Sequence, residues 1–485
     1  MTLHPRGLRA RRPLTVALLL WALAPSTALT QASTAAPGTL MERVRARSDS
    51  TQSMAIYIPT AYTPERRWPV LFLMDPRGGA MNPMSKFRVA AERYGYIVIS
   101  SYNTLSDGAR EPNVRALDAM LAEAQDRFAL DERRFYLAGF SGTARMSWEF
   151  AVELHGHVAG VIGVGAGFPS DSALPAVRRL GASPFAYFGT AGFTDYNYWE
   201  VRGLDDTLDA VALPHHFEFF DGVHQWPPEA TATRAVEWME LQAMRAGLRP
   251  RDAGLIDSLY DLWHARAAAK EESDPLESWR AYVRLRDDFQ GLRSTADAES
   301  KVASLGETKR AKQALEAHRR LASRDSAYVL RSVRYLRTVR SSQHPPTLSA
   351  LRQALDLDAL LRETRVERDP TRARAAQVML ERAFVYLSFY EPREYLESRQ
   401  YARAIALLQG ARHIKPDAAP VCLMLARAYA AAADPARAIE SLDCVVRKGI
   451  MTASQLERDQ MLAPLRRQPG FHSILERLRG AGRSE

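Results

Sequence analysis

Between residues 40 and 247, apolar runs follow one another without the alternation of a half-buried strand. They lie within Trp68–Gly79 (WPVLFLMDPRGG), Tyr94–Asn103 (YGYIVISSYN), Arg134–Gly139 (RFYLAG), Val158–Gly167 (VAGVIGVGAG), Pro184–Gly192 (PFAYFGTAG) and His215–His224 (HHFEFFDGVH). A strand that is apolar at nearly every position is buried on both faces, which is the situation of a mostly parallel sheet covered by helices on each side. Segments between the runs, such as Asn113–Phe128, have helical periodicity, and Met41–Arg47 with Ser53–Pro59 reads as an opening hairpin. The pattern predicts an α/β domain over residues 38–247.

After residue 248 the strand signal disappears, and Ala, Leu, Arg and Glu recur at helical spacing to about residue 480. Residues 248–370 read as a helical linker region, with a junction at Ser341–Leu348 (SSQHPPTL), where Pro and Ser interrupt the pattern. Within residues 371–485, Ala404 and Leu408 recur as Ala438 and Leu442 after a 34-residue step, with Leu425, Ala426 and Tyr429 on the helix between. This stretch, about Arg372–Gly449, resembles a tetratricopeptide repeat, whose small residues let paired helices pack closely. The resemblance implies a protein partner, and Leu456–Leu475 is expected to form a capping helical segment. Cys422 and Cys444 lie at similar distances from the turn at Asp434-Pro435, so the hairpin places them level. They form either a disulfide or two buried thiols.

A chain of 485 residues is too long for one ordinary domain. With 46% hydrophobic and 25% charged residues it has a globular composition, which excludes a disordered or fibrous protein. The net charge of +9 is carried by Arg scattered among Asp and Glu, without a basic block interleaved with aromatics. No nucleic-acid partner is therefore expected. At the N-terminus, Arg6, Arg9, Arg11 and Arg12 precede an apolar run from Leu14 to Ala24, and then small and polar residues. That run is shorter than the ~20 residues of a membrane span and has the form of a secretory signal peptide. Cleavage after Ala28 or Ala32 is expected, so residues 1–32 are assigned to the signal peptide. The mature chain is expected to be exported, periplasmic or secreted, with no transmembrane segment.

The chemistry centres on Arg134–Trp148, RFYLAGFSGTARMSW, which reads as a strand, a Gly-x-Ser turn at Ser141 and a helix. A nucleophile elbow would carry glycine at position 143; this chain has Thr143, with Gly142 one place earlier. An acyl-transfer serine needs a histidine base, an acid that orients it, and N–H donors for the oxyanion. The order Ser, Asp, His is present. Asp195 follows the strand in GTAGFTDYNYWE, and His224 follows the last strand in FEFFDGVHQWPP. His215 and His216 compete for the base position, and Glu200, Asp205 and Asp206 for the acid. Tyr102, Trp148, Tyr196, Tyr198, Trp199 and Trp226 gather around the same segments, as substrate pocket or as core.

These residues resemble the α/β-hydrolase superfamily, in particular secreted esterases of the dienelactone-hydrolase and polyhydroxyalkanoate-depolymerase type, over about residues 40–245. The resemblance implies a Ser141–His224–Asp195 triad that hydrolyses a small-molecule or polymer ester and needs no metal or organic cofactor. It implies an oxyanion site from the backbone N–H groups of Gly142 and of Arg77 or Gly78, because Pro76 has no N–H. The short connections predict an open site without a lid. A peptidase or thioesterase would use the same triad. The remaining alternative is a weakly active hydrolase-like domain within a repeat-containing interaction protein.

Overall fold

The computed structural model describes residues 36–167, 175, 177, 179 and 185–481; the expected signal peptide lies outside them. The strands are β1 (Leu40–Arg45), β2 (Ser53–Tyr57), β3 (Trp68–Met74), β4 (Ile97–Ser101), β5 (Leu130–Phe140), β6 (Val158–Val164), β7 (Ala186–Gly192) and β8 (His215–Phe220). They form one sheet in the order β1-β2-β4-β3-β5-β6-β7-β8. β1 pairs antiparallel with β2, and β2 antiparallel with β4, while β3 to β8 run parallel.

The apolar runs fill two cores at once, because successive side chains of a strand leave on opposite faces. On one face Leu71, Leu73, Tyr136, Ala138, Ile162 and Val164 pack beneath the helices Met81–Tyr94 and Glu229–Arg245. On the other, Val70, Phe72, Phe135, Leu137 and Val161 meet the helices Glu111–Arg127 and Gly142–Glu153. Parallel strands joined by helical crossovers present their C-terminal ends along one edge, where open α/β sheets bind ligands. Asp75, Ser141, Gly165, Asp195 and His224 all follow strand ends there. This is the helix-flanked, mostly parallel architecture that the sequence predicts.

The expected linker is divided between two cores. Ile256, Leu259, Tyr260, Trp263, Tyr282, Leu285 and Phe289, from the helices Ala253–Ala268 and Pro275–Phe289, belong to the core on the first face of the sheet, as does Ala298. The reason is visible in β8: His216 points into this layer, where its Nδ1 lies 2.7 Å from Asp288, which also accepts from Trp238. The second core begins at Tyr328, on the 33-residue helix Lys309–Ser341, and runs to Leu475. The interruption at Ser341–Leu348 falls between that helix and Leu348–Ala354.

The repeat-like helices are Tyr401–Ile414, Ala419–Ala431 and Pro435–Lys448, with Ala404, Leu408, Leu425, Ala426, Ala438 and Leu442 fully buried between them. Cys422 and Cys444 form a disulfide across the last two, with their Cα atoms 6.0 Å apart. Asp434 caps the second of these helices by accepting the Arg437 N–H, beside Pro435 at the first helical position. Among the described residues no helix is long and apolar enough to cross a membrane.

Candidate active site

Ser141 sits between β5 and the helix Gly142–Glu153 with φ 56° and ψ −124°. A non-glycine residue held there costs about 1–3 kcal/mol, which the surroundings must overcome. Two hydrogen bonds of Ser141 hold it: its N–H donates to the Val164 carbonyl at 2.8 Å, and its own carbonyl accepts from Ala144 N–H at 3.0 Å. The helix approaches β5 so closely that a Cβ on Gly139 would fall 2.3 Å from the Thr143 carbonyl oxygen.

Thr143, the departure from an ideal elbow, is buried and fully bonded. Its hydroxyl donates to the Met74 carbonyl at 2.6 Å and accepts from the Phe140 N–H at 3.0 Å. The threonine therefore pins the helix start to the ends of β3 and β5. Gly142 N–H opens the helix and is one of the four donors without an intrahelical acceptor.

Asp195 and His224 come together across the loops after the neighbouring strands β7 and β8. His224 Nδ1 lies 2.9 Å from both carboxylate oxygens of Asp195, which is fully buried. Asn197 fixes the carboxylate by donating its N–H to Oδ1 at 2.8 Å, and its side chain donates to the Gly165 carbonyl at 2.8 Å. Gly165, at φ +62°, leaves room for the pair, because a Cβ there would fall 2.8 Å from Asp195 Oδ2 and 3.1 Å from His224 Nδ1. With Nδ1–H donated to the carboxylate, Nε2 carries the ring's free lone pair.

That lone pair is engaged. Tyr196 Oη lies 3.0 Å from His224 Nε2, with the two rings 4.2 Å apart between centroids. Burial, Tyr390 and Asp195 hold the Tyr196 hydroxyl well above its ordinary pKa, so it stays protonated and donates to Nε2. The same hydroxyl interacts with Ser141 and Tyr390. Phe140 also packs against the imidazole, with the ring centroids 4.5 Å apart.

Of the expected oxyanion donors, Arg77 and Gly78 are both turned to Asp75. Arg77 N–H donates to Asp75 Oδ1 at 2.9 Å and Gly78 N–H to the Asp75 carbonyl at 3.2 Å. Asp75 is itself held by Trp226, whose Nε1 donates to Oδ2 at 2.8 Å. Beside this loop, Ser106 packs against Gly142, where a Cβ would fall 2.5 Å from that of Ser106.

The competing residues have other partners. His215 Nε2 meets Asp205 at 3.2 Å, His216 meets Asp288, and Glu200 pairs with Arg145 at 2.7 Å and accepts from Gly167 N–H. Asp206 is exposed. Most of the expected aromatics serve packing: Trp148 stands edge-on to Phe185 and Tyr187, Tyr198 packs on Phe219, and Tyr102 donates to the Glu42 carbonyl. Trp199 packs at a tilt against His318.

The site is covered on the Tyr196 side. The helix Pro370–Val385 and the π-helical turn Tyr386–Tyr390 reach Tyr196, and with Arg145, Asn197 and Glu200 they line a cavity of ≈ 200 Å³ beside it. Arg382 donates to the Tyr196 carbonyl and pairs with buried Asp325 at 2.6 Å. Arg374 reaches Asp221 at 3.5 Å and lies over the Phe193 ring. The connections inside the α/β unit are indeed short; the cover comes from the other unit. The aromatic run YLSFY at 386–390 was its only trace in the sequence.

Residues 395–448 match the tetratricopeptide repeat family model. No curated protein sequence is significantly similar to the chain. Among solved structures, the α/β part is similar to FphF, a fluorophosphonate-binding serine hydrolase of Staphylococcus aureus, at 17% identity and a TM-score of 0.36, over 42% of this chain and 98% of that one. The S-formylglutathione hydrolase FrmB of Staphylococcus aureus matches at 14% identity and a TM-score of 0.35, over 43% of this chain and 98% of that one. A feruloyl esterase module from Clostridium thermocellum, complexed with sinapinate, matches at 17% identity and a TM-score of 0.31, over 41% and 86% of the two chains.

Proposed function

We propose that this chain is an exported serine hydrolase that cleaves a carboxylic ester through an acyl-enzyme. The observation that supports it is the 2.9 Å contact of His224 Nδ1 with buried Asp195, beside Ser141 on a strained strand-to-helix turn. Asp195 fixes the tautomer with Nδ1 protonated and stabilises the imidazolium when it forms. Once Nε2 is free of Tyr196, it accepts the Ser141 proton as Oγ attacks the ester carbonyl. Gly142 N–H and the helix N-terminus stabilise the oxyanion. Arg77 or Gly78 joins as second donor only if its bond to Asp75 lengthens. His224 then protonates the leaving alcohol and activates the water that releases the acyl group. Residues 1–32 support export, and the Cys422–Cys444 disulfide suits an oxidising compartment.

The test is fluorophosphonate labelling of the mature chain beside Ser141→Ala and His224→Ala. Labelling of wild type alone is expected; equal labelling of Ser141→Ala would remove the assignment. A second reading, a weakly active domain in a protein that binds partners through its repeat helices, is favoured by the Tyr196 hydroxyl on Nε2. It predicts an unlabelled wild type, together with a protein captured by the full chain and released by changes on the repeat helices.

A further inference from the structure

The cover over the site has the composition of a substrate wall. Phe389 and Tyr390, on the π-helical turn, are large apolar side chains left 41% and 37% exposed. On the loops of the α/β unit, Leu105 is 50% exposed and Val223 47% exposed. Val223 directly precedes His224. Leu105 precedes Ser106, which packs on Gly142, and the Asp107 charge acts on Tyr390 across the gap. A π-helical segment shifts the register of the side chains that follow it, and such segments recur at functional sites. Here it carries Tyr386 and Tyr390 to the cavity beside Tyr196.

The side of the site is set by His224. The proton taken from Ser141 leaves Nε2 for the oxygen of the departing alcohol, so the alcohol must lie where Tyr196 Oη now sits, 3.0 Å from Nε2. The ≈ 200 Å³ cavity adjoins Tyr196 and is lined from the helical unit by Arg382, Tyr386 and Tyr390. Its two guanidinium groups are matched: Arg145 by Glu200 at 2.7 Å and Arg382 by Asp325 at 2.6 Å. The cavity therefore offers phenol rings and no excess cation.

We propose that the helical unit forms one wall of the leaving-group pocket, and that Tyr386 and Tyr390 select esters of an uncharged aromatic alcohol about one ring in size. The alcohol displaces the Tyr196 hydroxyl from Nε2. Ser141 Oγ bonds to the acyl carbon, the bond from carbon to the alcohol oxygen breaks, and the Ser141 proton passes through Nε2 to that oxygen. This rests on the Ser141–His224–Asp195 reading.

The test compares kcat/KM for benzyl acetate and methyl acetate, whose leaving groups have similar basicity, on the full mature chain. Wild type is expected to prefer benzyl acetate by at least ~10-fold, as one or two displaced ring contacts would give. Tyr390→Ala is expected to lower that ratio by roughly 10-fold, Tyr386→Ala to do likewise, and Tyr390→Phe to retain it. Because a ratio is read, effects on chemistry common to both esters cancel, and two alanine variants keep the result independent of either one folding. A wild type that labels with fluorophosphonate but shows no benzyl preference overturns the proposal alone. So does an unchanged ratio in both alanine variants, or a preference for methyl benzoate in place of benzyl acetate. A wild type that fails to label removes the underlying reading as well.

Discussion

Arg382 donates from the helical unit to the backbone carbonyl of Tyr196, 186 residues earlier in the chain. The next residue of the α/β unit towards the N-terminus is Asp195, and the Tyr196 hydroxyl is the group that holds His224 Nε2. One guanidinium thus ties the acid–base pair, the residue that masks it, and the second unit into a single arrangement. Buried Asp325 keeps that guanidinium in place.

The first prediction concerns the mask. Nε2 has one lone pair, so the Tyr196 and Ser141 hydroxyls compete for it. Tyr196→Phe removes one competitor and keeps the ring against His224. A net hydrogen bond is worth about 0.5–1.5 kcal/mol, so the second-order rate of fluorophosphonate labelling should rise roughly 2- to 10-fold. A rate that falls would mean that the phenol assists Ser141 rather than competing with it.

A second prediction follows from Thr143. Its hydroxyl, on a fully buried residue, serves the Phe140 N–H and the carbonyl of fully buried Met74. Thr143→Val keeps the shape and leaves both groups unpaired, which should destabilise the α/β unit by about 1–3 kcal/mol. Urea unfolding followed by tryptophan fluorescence would measure it. A loss below about 0.5 kcal/mol would show that the elbow does not depend on this staple.

How much of this was legible in the sequence depends on the range of each interaction. The loops carrying Asp195 and His224 are read from two apolar runs, and parallel pairing of β7 with β8 brings those loops together. The sheet is legible for the same reason: periodicity is local. The loop Asp75–Gly79 was not, because the Asp75 side chain takes the Arg77 N–H in an Asx-type arrangement and the Asp75 carbonyl takes the Gly78 N–H, the two groups expected at the oxyanion. Thr143 looked like a defect by motif, yet its hydroxyl finds acceptor and donor on two strand ends that only the folded chain brings near. The cover of the site depends on Arg382, Tyr386 and Tyr390, and no short-range pattern links these to Tyr196. Nor could composition show that helices around Tyr260 and Tyr282 complete the sheet's own core, since their apolar stripes fit any neighbour.

The third prediction concerns acid. His318 packs against Trp199 with the ring centroids 4.9 Å apart, and its Nδ1 lies 3.2 Å from Arg280. Burial, then the charges of Arg280 and Arg202, push its pKa down to about 3. In the unfolded chain the imidazole titrates near its ordinary 6.5. Between these values the unfolded state binds a proton that the folded state does not, so stability falls as pH drops from about 6.5 towards 3. His318→Phe removes that dependence while keeping an aromatic ring on Trp199. The melting temperature of wild type, relative to the variant, should decline steadily from pH 7 to pH 4. Parallel curves would show that His318 is free to protonate in the folded chain.

The last prediction uses the two cores. The α/β core closes with the helices up to Ala298, and the second core runs from Tyr328 to Leu475 with the Cys422–Cys444 bond inside it. A cross-link between residues 22 apart closes a short loop, which in the chain-entropy account stabilises the unit containing it by about 3 kcal/mol. Replacing both cysteines with serine would add buried hydroxyls, so Cys422→Ala with Cys444→Ala is the cleaner change. Calorimetry of this double variant should move the transition of the helical unit down by several degrees while the other keeps its midpoint. The contact of Arg382 with Tyr196 joins the two units at the site itself. If both transitions fall together, that contact couples them, and loosening the repeat helices should then also speed the labelling of Ser141. If only the helical transition moves and labelling is unchanged, the cover over His224 is held by Asp325 and the π-helical turn, independently of the repeat beyond it.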